Sequence, residues 1–199
     1  MRSTWRATGL VALGVLAGCT GGARGTATPG HSPAGPATPS ASAAATAARP
    51  VLDCGDSIGG NPPPAGFQVV LGVVALPASP RYPALGTAPT GEGNGPLRLF
   101  AKSGLLVRPG AAFDLSVPEP FAGRLRIGWG SPGTPSRQLL VDRCANQGGG
   151  WLAFAGGYWI DRPACAALTV RVGDKQQQVR VGIGAACPGQ GPPPGPTQR

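Results

Sequence analysis

Catalysis and ligation need side chains that titrate, attack or coordinate, and this chain holds few of them. Its only histidine is His31, inside a run of Ala, Pro, Gly, Ser and Thr that no fold can position. A Ser-His-Asp or Cys-His nucleophile within a domain is therefore excluded. Paired carboxylates could still work on a glycosidic bond without histidine. The candidates are Asp53, Asp56, Glu92, Asp114, Glu119, Asp142, Asp161 and Asp174. Most fall where strands end or turns begin, where acidic residues serve turn chemistry and solubility. Asp142 and Asp161 flank one glycine-rich segment and form the pair to watch. One methionine and no acidic calcium loop leave no basis for a metal carrier or a cofactor. Gly148-Gly149-Gly150 and Gly128-Trp129-Gly130 follow strand signals and open no helix, so they lack the setting of a phosphate cradle.

The elements that would carry these residues occupy only part of the 199-residue chain. Gly and Pro number 34 and 24, a share typical of low-complexity sequence. The bias is concentrated in Thr20–Pro50 and Pro188–Arg199. Val51–Cys187 between them is rich in Val, Leu and aromatics, enough for one domain with a core and too little for two. Thr20–Pro50 has no large apolar residue and cannot offset the entropy of ordering. It reads as a disordered tether with a reach of roughly 30 Å; residues 188–199 read as a disordered tail. The formal charge is +9, but Arg2, Arg6, Arg24, Arg49 and Arg199 lie outside the central stretch. Inside it the basic residues are scattered singly, whereas nucleic-acid binding wants a clustered patch. No nucleic-acid partner is expected.

Met1–Arg6 carries two arginines, and Ala7–Ala17 is an apolar run too short for the roughly 20 residues of a membrane span. The run ends Leu16-Ala17-Gly18-Cys19. Here the chain resembles a bacterial lipoprotein precursor, whose lipobox is a Leu, two small residues and a Cys. The resemblance implies a signal peptide over residues 1–18 and diacylglyceryl transfer to the Cys19 sulfur. It also implies cleavage before Cys19, palmitate-type acylation, and a mature protein held at the outer face of the cell membrane. Two acyl chains make such attachment stable where one would be marginal.

Export also sets the redox setting of the other cysteines. Cys54, Cys144, Cys165 and Cys187 form an even set, so two disulfides are expected. Four cysteines allow three connectivities. The preferred one is Cys144–Cys165, which would staple the glycine-rich loop between them, with Cys54–Cys187, which would tie the domain's two ends together. Zinc binding fails on spacing, since no Cys-x-x-Cys pair is present.

Val51–Cys187 reads as β throughout. Apolar and polar residues alternate along Phe113–Val117, Arg124–Trp129, Leu168–Val172 and Val179–Ile183, the period of a half-buried antiparallel strand. Gly173-Asp174-Lys175 reads as a hairpin turn. Phe67–Leu76 and Leu97–Lys102 are more continuously apolar and read as central strands; Leu105–Arg108, Gln138–Asp142 and Gly157–Ile160 are shorter candidates. The fold class that follows is all-β, an immunoglobulin-like β-sandwich of two sheets with two disulfides, the alternative being a small β-barrel. The stretch Cys54–Cys187 also resembles a family of exported actinobacterial proteins without an assigned role. The likeness lies in Gly104-Leu105-Leu106-Val107-Arg108, in Gly128-Trp129-Gly130, and in Gly156-Gly157-Tyr158-Trp159 through Pro163-Ala164-Cys165; it implies no activity.

Aromatics remain as binding candidates. Trp129 is in phase with Leu125 and Ile127 and reads as core. Trp151, Tyr158 and Trp159 stand beside glycines inside the loop that Cys144–Cys165 would close, and are the possible ligand-binding residues. Tyr158 and Trp159 are adjacent and must face opposite sides of a strand, so at most one is core. The resulting expectation is a non-catalytic interaction module for an envelope protein. The alternative is a glycan or cell-wall binder using the aromatic loop, and an enzyme of unrecognised type comes third.

Overall fold

The computed structural model describes residues 49–60, 62–91, 95–145 and 150–195. Cys19, its lipobox, His31 and most of the tether lie outside the described residues. The described part is nearly all β, with only two single-turn 3-10 segments at Cys54–Asp56 and Glu119–Phe121. Its strands form three four-stranded sheets in which every pair of neighbours is antiparallel. In chain order they are β1 (Gln68–Val70), β2 (Val74–Leu76), β3 (Ala88–Pro89), β4 (Leu99–Lys102), β5 (Leu105–Val107) and β6 (Ala112–Ser116). Then follow β7 (Leu125–Trp129), β8 (Gln138–Asp142), β9 (Leu152–Phe154), β10 (Gly156–Ile160), β11 (Ala164–Val172) and β12 (Lys175–Ile183).

The first sheet runs β1-β2-β5-β9, the second β3-β4-β10-β7, and the third β12-β11-β6-β8. The first two behave as one bent layer. The chain crosses between them with almost no connection, through Ser103-Gly104 from β4 to β5 and through Ala155 alone from β9 to β10. At the bend the Ser103 N–H donates to the Gly156 carbonyl at 2.9 Å, and the Gly130 N–H to the Ala155 carbonyl at 3.0 Å. Strands that change sheet at a sharp corner let two layers enclose one core. The result is a β-sandwich and not a closed barrel, with three sheets where two were expected.

Alternation places the core. Phe113 and Leu115 of β6, Leu139 and Val141 of β8, Leu168 and Val170 of β11, and Val179 and Val181 of β12 all point inward. They meet Val70, Leu76, Leu105 and Val107 of the first sheet and Leu125, Ile127, Tyr158 and Ile160 of the second. The hairpin at Gly173-Asp174 joins β11 to β12 in unbroken register over nine pairs, from Val172↔Lys175 to Ala164↔Ile183. The Phe67–Leu76 run departs from expectation: it is a tight β1–β2 hairpin turning through Leu71 and Gly72, both at positive φ (48° and 73°). Apolar residues on both faces, Val69 exposed and Val70, Val74, Ala75 and Leu76 buried, hide the period-two signal that would have revealed the turn.

Both disulfides form, but the preferred pairing is corrected. The bonds are Cys54–Cys144 and Cys165–Cys187. Val51 bridges Leu140 in parallel, and the Leu52 N–H donates to the Leu140 carbonyl. The incoming chain thus rides the open edge of β8, which brings Cys54 beside Cys144 just past the strand end. Cys165 pairs with Gly182 in the β11–β12 ladder. Beyond β12 the chain turns at Gly184 (φ 68°), which brings Cys187 back onto Cys165. The start of the expected tail is also held: Gly191 accepts from the Ala84 N–H, and the Gln190 side chain bonds Cys187 N and Ser79 O.

Non-reducing peptide mapping is expected to recover Cys54–Cys144 and Cys165–Cys187 and no free thiol among the four. The first bond spans 90 residues and the second 22. Chain entropy therefore assigns roughly 4.6 and roughly 3.4 kcal/mol to them. The double variant Cys54→Ala/Cys144→Ala is expected to lower Tm further than Cys165→Ala/Cys187→Ala; the opposite order in thermal denaturation would contradict this.

Candidate functional site

The second sheet places the aromatic residues singled out by the sequence. On β10 the inward positions are Gly156, Tyr158 and Ile160, and the outward ones are Gly157 and Trp159. Tyr158 is fully buried. Its ring meets Trp129 edge-on, centroids 5.3 Å apart at 90°, and the Trp129 indole N–H donates to the Ser103 carbonyl at 2.9 Å. Trp129 is core, as its phase with Leu125 and Ile127 requires.

Burial pushes the Tyr158 phenol well above the usual tyrosine range. The Ser103 side chain acts in the opposite direction as the smaller cause; its hydroxyl donates to the Gly104 carbonyl. The Tyr158 hydroxyl has no hydrogen-bond partner.

Trp151 is buried too, in a small separate cluster with Ala75, Leu106 and Phe67. The Arg108 guanidinium lies over its ring at 4.9 Å while donating to the Gly72 carbonyl. Neither Trp151 nor Tyr158 offers a face to a ligand, and no Cys144–Cys165 bond closes the segment that carries them. The loop reading is corrected on both grounds: Trp151 is covered by Leu106, Phe67 and Arg108, and Tyr158 packs into the core against Trp129.

Trp159 alone stays half-buried on an outer face, and there it has a partner the sequence did not announce. Phe100 of β4 lies directly across the ladder from Trp159, with ring centroids 4.7 Å apart and planes tilted by 46°. Glycine makes room for both rings. A methyl at Gly157 would stand 2.9 Å from the Phe100 ring, and one at Gly128 would stand 3.2 Å from Trp159. Arg126 faces Trp159 from β7, and Lys102 faces Gly157 from β4. Cross-strand partners share a face, so two aromatic rings and two cations cluster on one side of this sheet. The signal that could have found Phe100 is its parity in Leu97–Lys102: it shares the exposed phase of Lys102, opposite Ala101.

Charged groups elsewhere are mostly committed at the surface. Asp142 closes β8 in the third sheet, while Asp161 lies just past β10 in the second, so the two do not form a carboxylate pair. Desolvation opposes the Asp161 charge, but the Arg124 hydrogen bond at 3.0 Å and its charge, aided by Arg162, hold the carboxyl below the usual range. On the third sheet, Arg49, Asp114, Ser116, Gln138 and Arg171 line a polar depression of about 120 Å³, bridged by an Arg49–Asp114 contact of 3.1 Å. Among the described residues no three His, Cys, Asp or Glu side chains gather to hold a metal.

The orphaned Tyr158 hydroxyl gives a sharp expectation. Tyr158→Phe removes an unsatisfied buried polar atom without changing the packing, so chemical denaturation should show stability unchanged or raised by up to about 1–2 kcal/mol. Tyr158→Ala should cost roughly 3–5 kcal/mol. A large loss in Tyr158→Phe would mean that the hydroxyl is bonded after all.

Set against protein-family models, curated proteins and solved structures, the chain matches none.

Proposed function

We propose that this protein is a lipoprotein anchored through Cys19 to the outer face of the cell membrane, presenting its β-sandwich on a flexible tether as a non-catalytic interaction module. The observation that carries the reading is the pair of disulfides. Cys54–Cys144 and Cys165–Cys187 join the domain's incoming and outgoing segments to its sheets, and bonds of this kind persist in oxidising compartments outside the cytosol. The lipobox Leu16-Ala17-Gly18-Cys19 agrees with that setting. Among the described residues no helix is long and apolar enough to cross a membrane, so attachment in this reading falls to the acylated cysteine. The tether then sets the working height of the domain, at roughly 30 Å of reach.

A second reading is glycan binding. It rests on the half-buried Phe100–Trp159 pair, since aromatic rings partly open on a sheet face are an apolar surface of the kind sugar rings stack on. Under the first reading a protein partner of the envelope engages the module; under the second, a wall glycan does.

The anchor is testable directly. Cys19→Ala is expected to abolish metabolic labelling with a fatty-acid probe and to move the protein from the detergent phase to the aqueous phase. Labelling at the parent level in Cys19→Ala would overturn the lipoprotein reading.

A further inference from the structure

The outer face of the β3-β4-β10-β7 sheet combines three features that occur together nowhere else among the described residues. First, Phe100 and Trp159 pack against each other at 46° with centroids 4.7 Å apart, a partly exposed aromatic pair. Second, Gly157 and Gly128 carry no side chain beside the rings, and the space over Gly128 is taken by the Thr134 backbone, so the two rings are the large apolar side chains of this patch. Third, the cations around it have no carboxylate partner among the described residues. The ion pairs of the described residues are Arg49–Asp114, Arg124–Asp161 and Arg137–Glu119. Arg98, Lys102 and Arg126 belong to none of them. Arg126 spends one guanidinium nitrogen on the Ala122 and Leu125 carbonyls, which fixes its position beside Trp159. Arg98 and Lys102 are exposed, at the two positions flanking Phe100 on its own side of β4. Of the carboxylates bordering this face among the described residues, Asp161 is taken by Arg124, and Asp56, beside Gly130, accepts from the Ser131 N–H.

We propose that this face binds an acidic glycan, one sugar ring stacking on the Phe100–Trp159 pair while its carboxylate, or that of the next residue, pairs with Lys102, Arg126 and Arg98. The division of labour follows from the chemistry. The apolar C–H face of a pyranose gains from aromatic contact, whereas its hydroxyls give little net affinity because they exchange water for protein. Carboxylates meeting cations that lack intramolecular partners gain charge-assisted bonds without breaking an existing ion pair. A protein partner is the less favoured occupant, because the exposed charged side chains flanking Phe100, Arg98 and Lys102, are both cations. This inference rests on the glycan reading and narrows it to a polyanion; it does not depend on the Cys19 anchor.

The test uses the full chain with its tryptophans labelled with nitrogen-15, titrated with tetragalacturonate and followed through the indole N–H signals. Neutral β-1,4-galactotetraose and poly-L-glutamate are the controls. Tetragalacturonate is expected to shift the Trp159 signal saturably with a Kd on the order of 1 mM, leaving Trp129 and Trp151 unmoved. Galactotetraose should bind at least about 10-fold more weakly, as should Lys102→Glu, whose exposed site leaves Tm unchanged. Trp159→Ala should lose binding; if it fails to fold, Lys102→Glu and Arg98→Glu still decide the matter. The proposal is overturned if the Trp159 signal is still at about 10 mM tetragalacturonate, if poly-L-glutamate shifts it equally, or if Lys102→Glu binds like the parent. None of these results would alter lipid labelling at Cys19, so failure of this inference leaves the anchored-module reading standing or falling on its own test.

Discussion

The structure depends on one corner. Where β4 passes into β5 and β9 into β10, the first two sheets bend into a single layer, and Trp129 fills the inside of the bend. Its indole donates to Ser103 O and its ring packs edge-on against Tyr158. A methyl at Gly156 would come within 2.7 Å of the Trp129 ring, so the strand can run this close only with glycine there. Ser103 is the one polar residue in the buried set, and its backbone carbonyl accepts the one polar group that Trp129 brings inside. A buried polar atom left alone costs free energy comparable to a lost hydrogen bond. The bend and the indole therefore satisfy each other, and the three sheets can share one core.

Once the corner is made, the edges need cover, because open strand edges invite pairing with other chains. Irregular chain supplies it locally. Pro50–Leu52 bonds the edge of β8, Ile58 and Gly59 bond Ala153 on the edge of β9, and Ser136 bonds Ile127 on β7. The two disulfides fasten the first of these covers and the turn after β12. Along Lys175–Arg180 the β12 edge carries a cation at each end instead, the usual way a long edge is blunted. Just ahead of these covering segments, Arg49 donates to Asp114 of β6.

Period two along β6, β7 and β11 was readable in the sequence because each has one polar face. Such strands announce themselves. The β1–β2 hairpin did not, since Val70, Val74, Ala75 and Leu76 are all buried and leave no alternation to read. The number of disulfides was legible from an even cysteine count, but the pairing was not. It follows from the parallel bridge of Val51 to Leu140 and from the return at Gly184, which are long-range facts that spacing does not encode. The candidate site was legible in part. Trp159 stood out by composition and by its opposition to Tyr158. Its partner Phe100 and the cations beside it come from ladder register, which joins residues some 60 positions apart. Trp151 misled because its cover is Arg108, a side chain far away in sequence.

The aromatic face and the core are thus two sides of one strand. Tyr158 turns inward to the Trp129 corner and Trp159 turns outward to Phe100, so the outer aromatic pair is backed directly by the corner. Native-state amide hydrogen exchange tests that account most directly. The Ser103 and Gly130 amides, bonded to Gly156 and Ala155 across the corner, should exchange only through global unfolding, in step with Ile127 of β7. Exchange of Ser103 and Gly130 at the rate of surface loops while Ile127 stays protected would contradict it, for the corner would then open independently of the core.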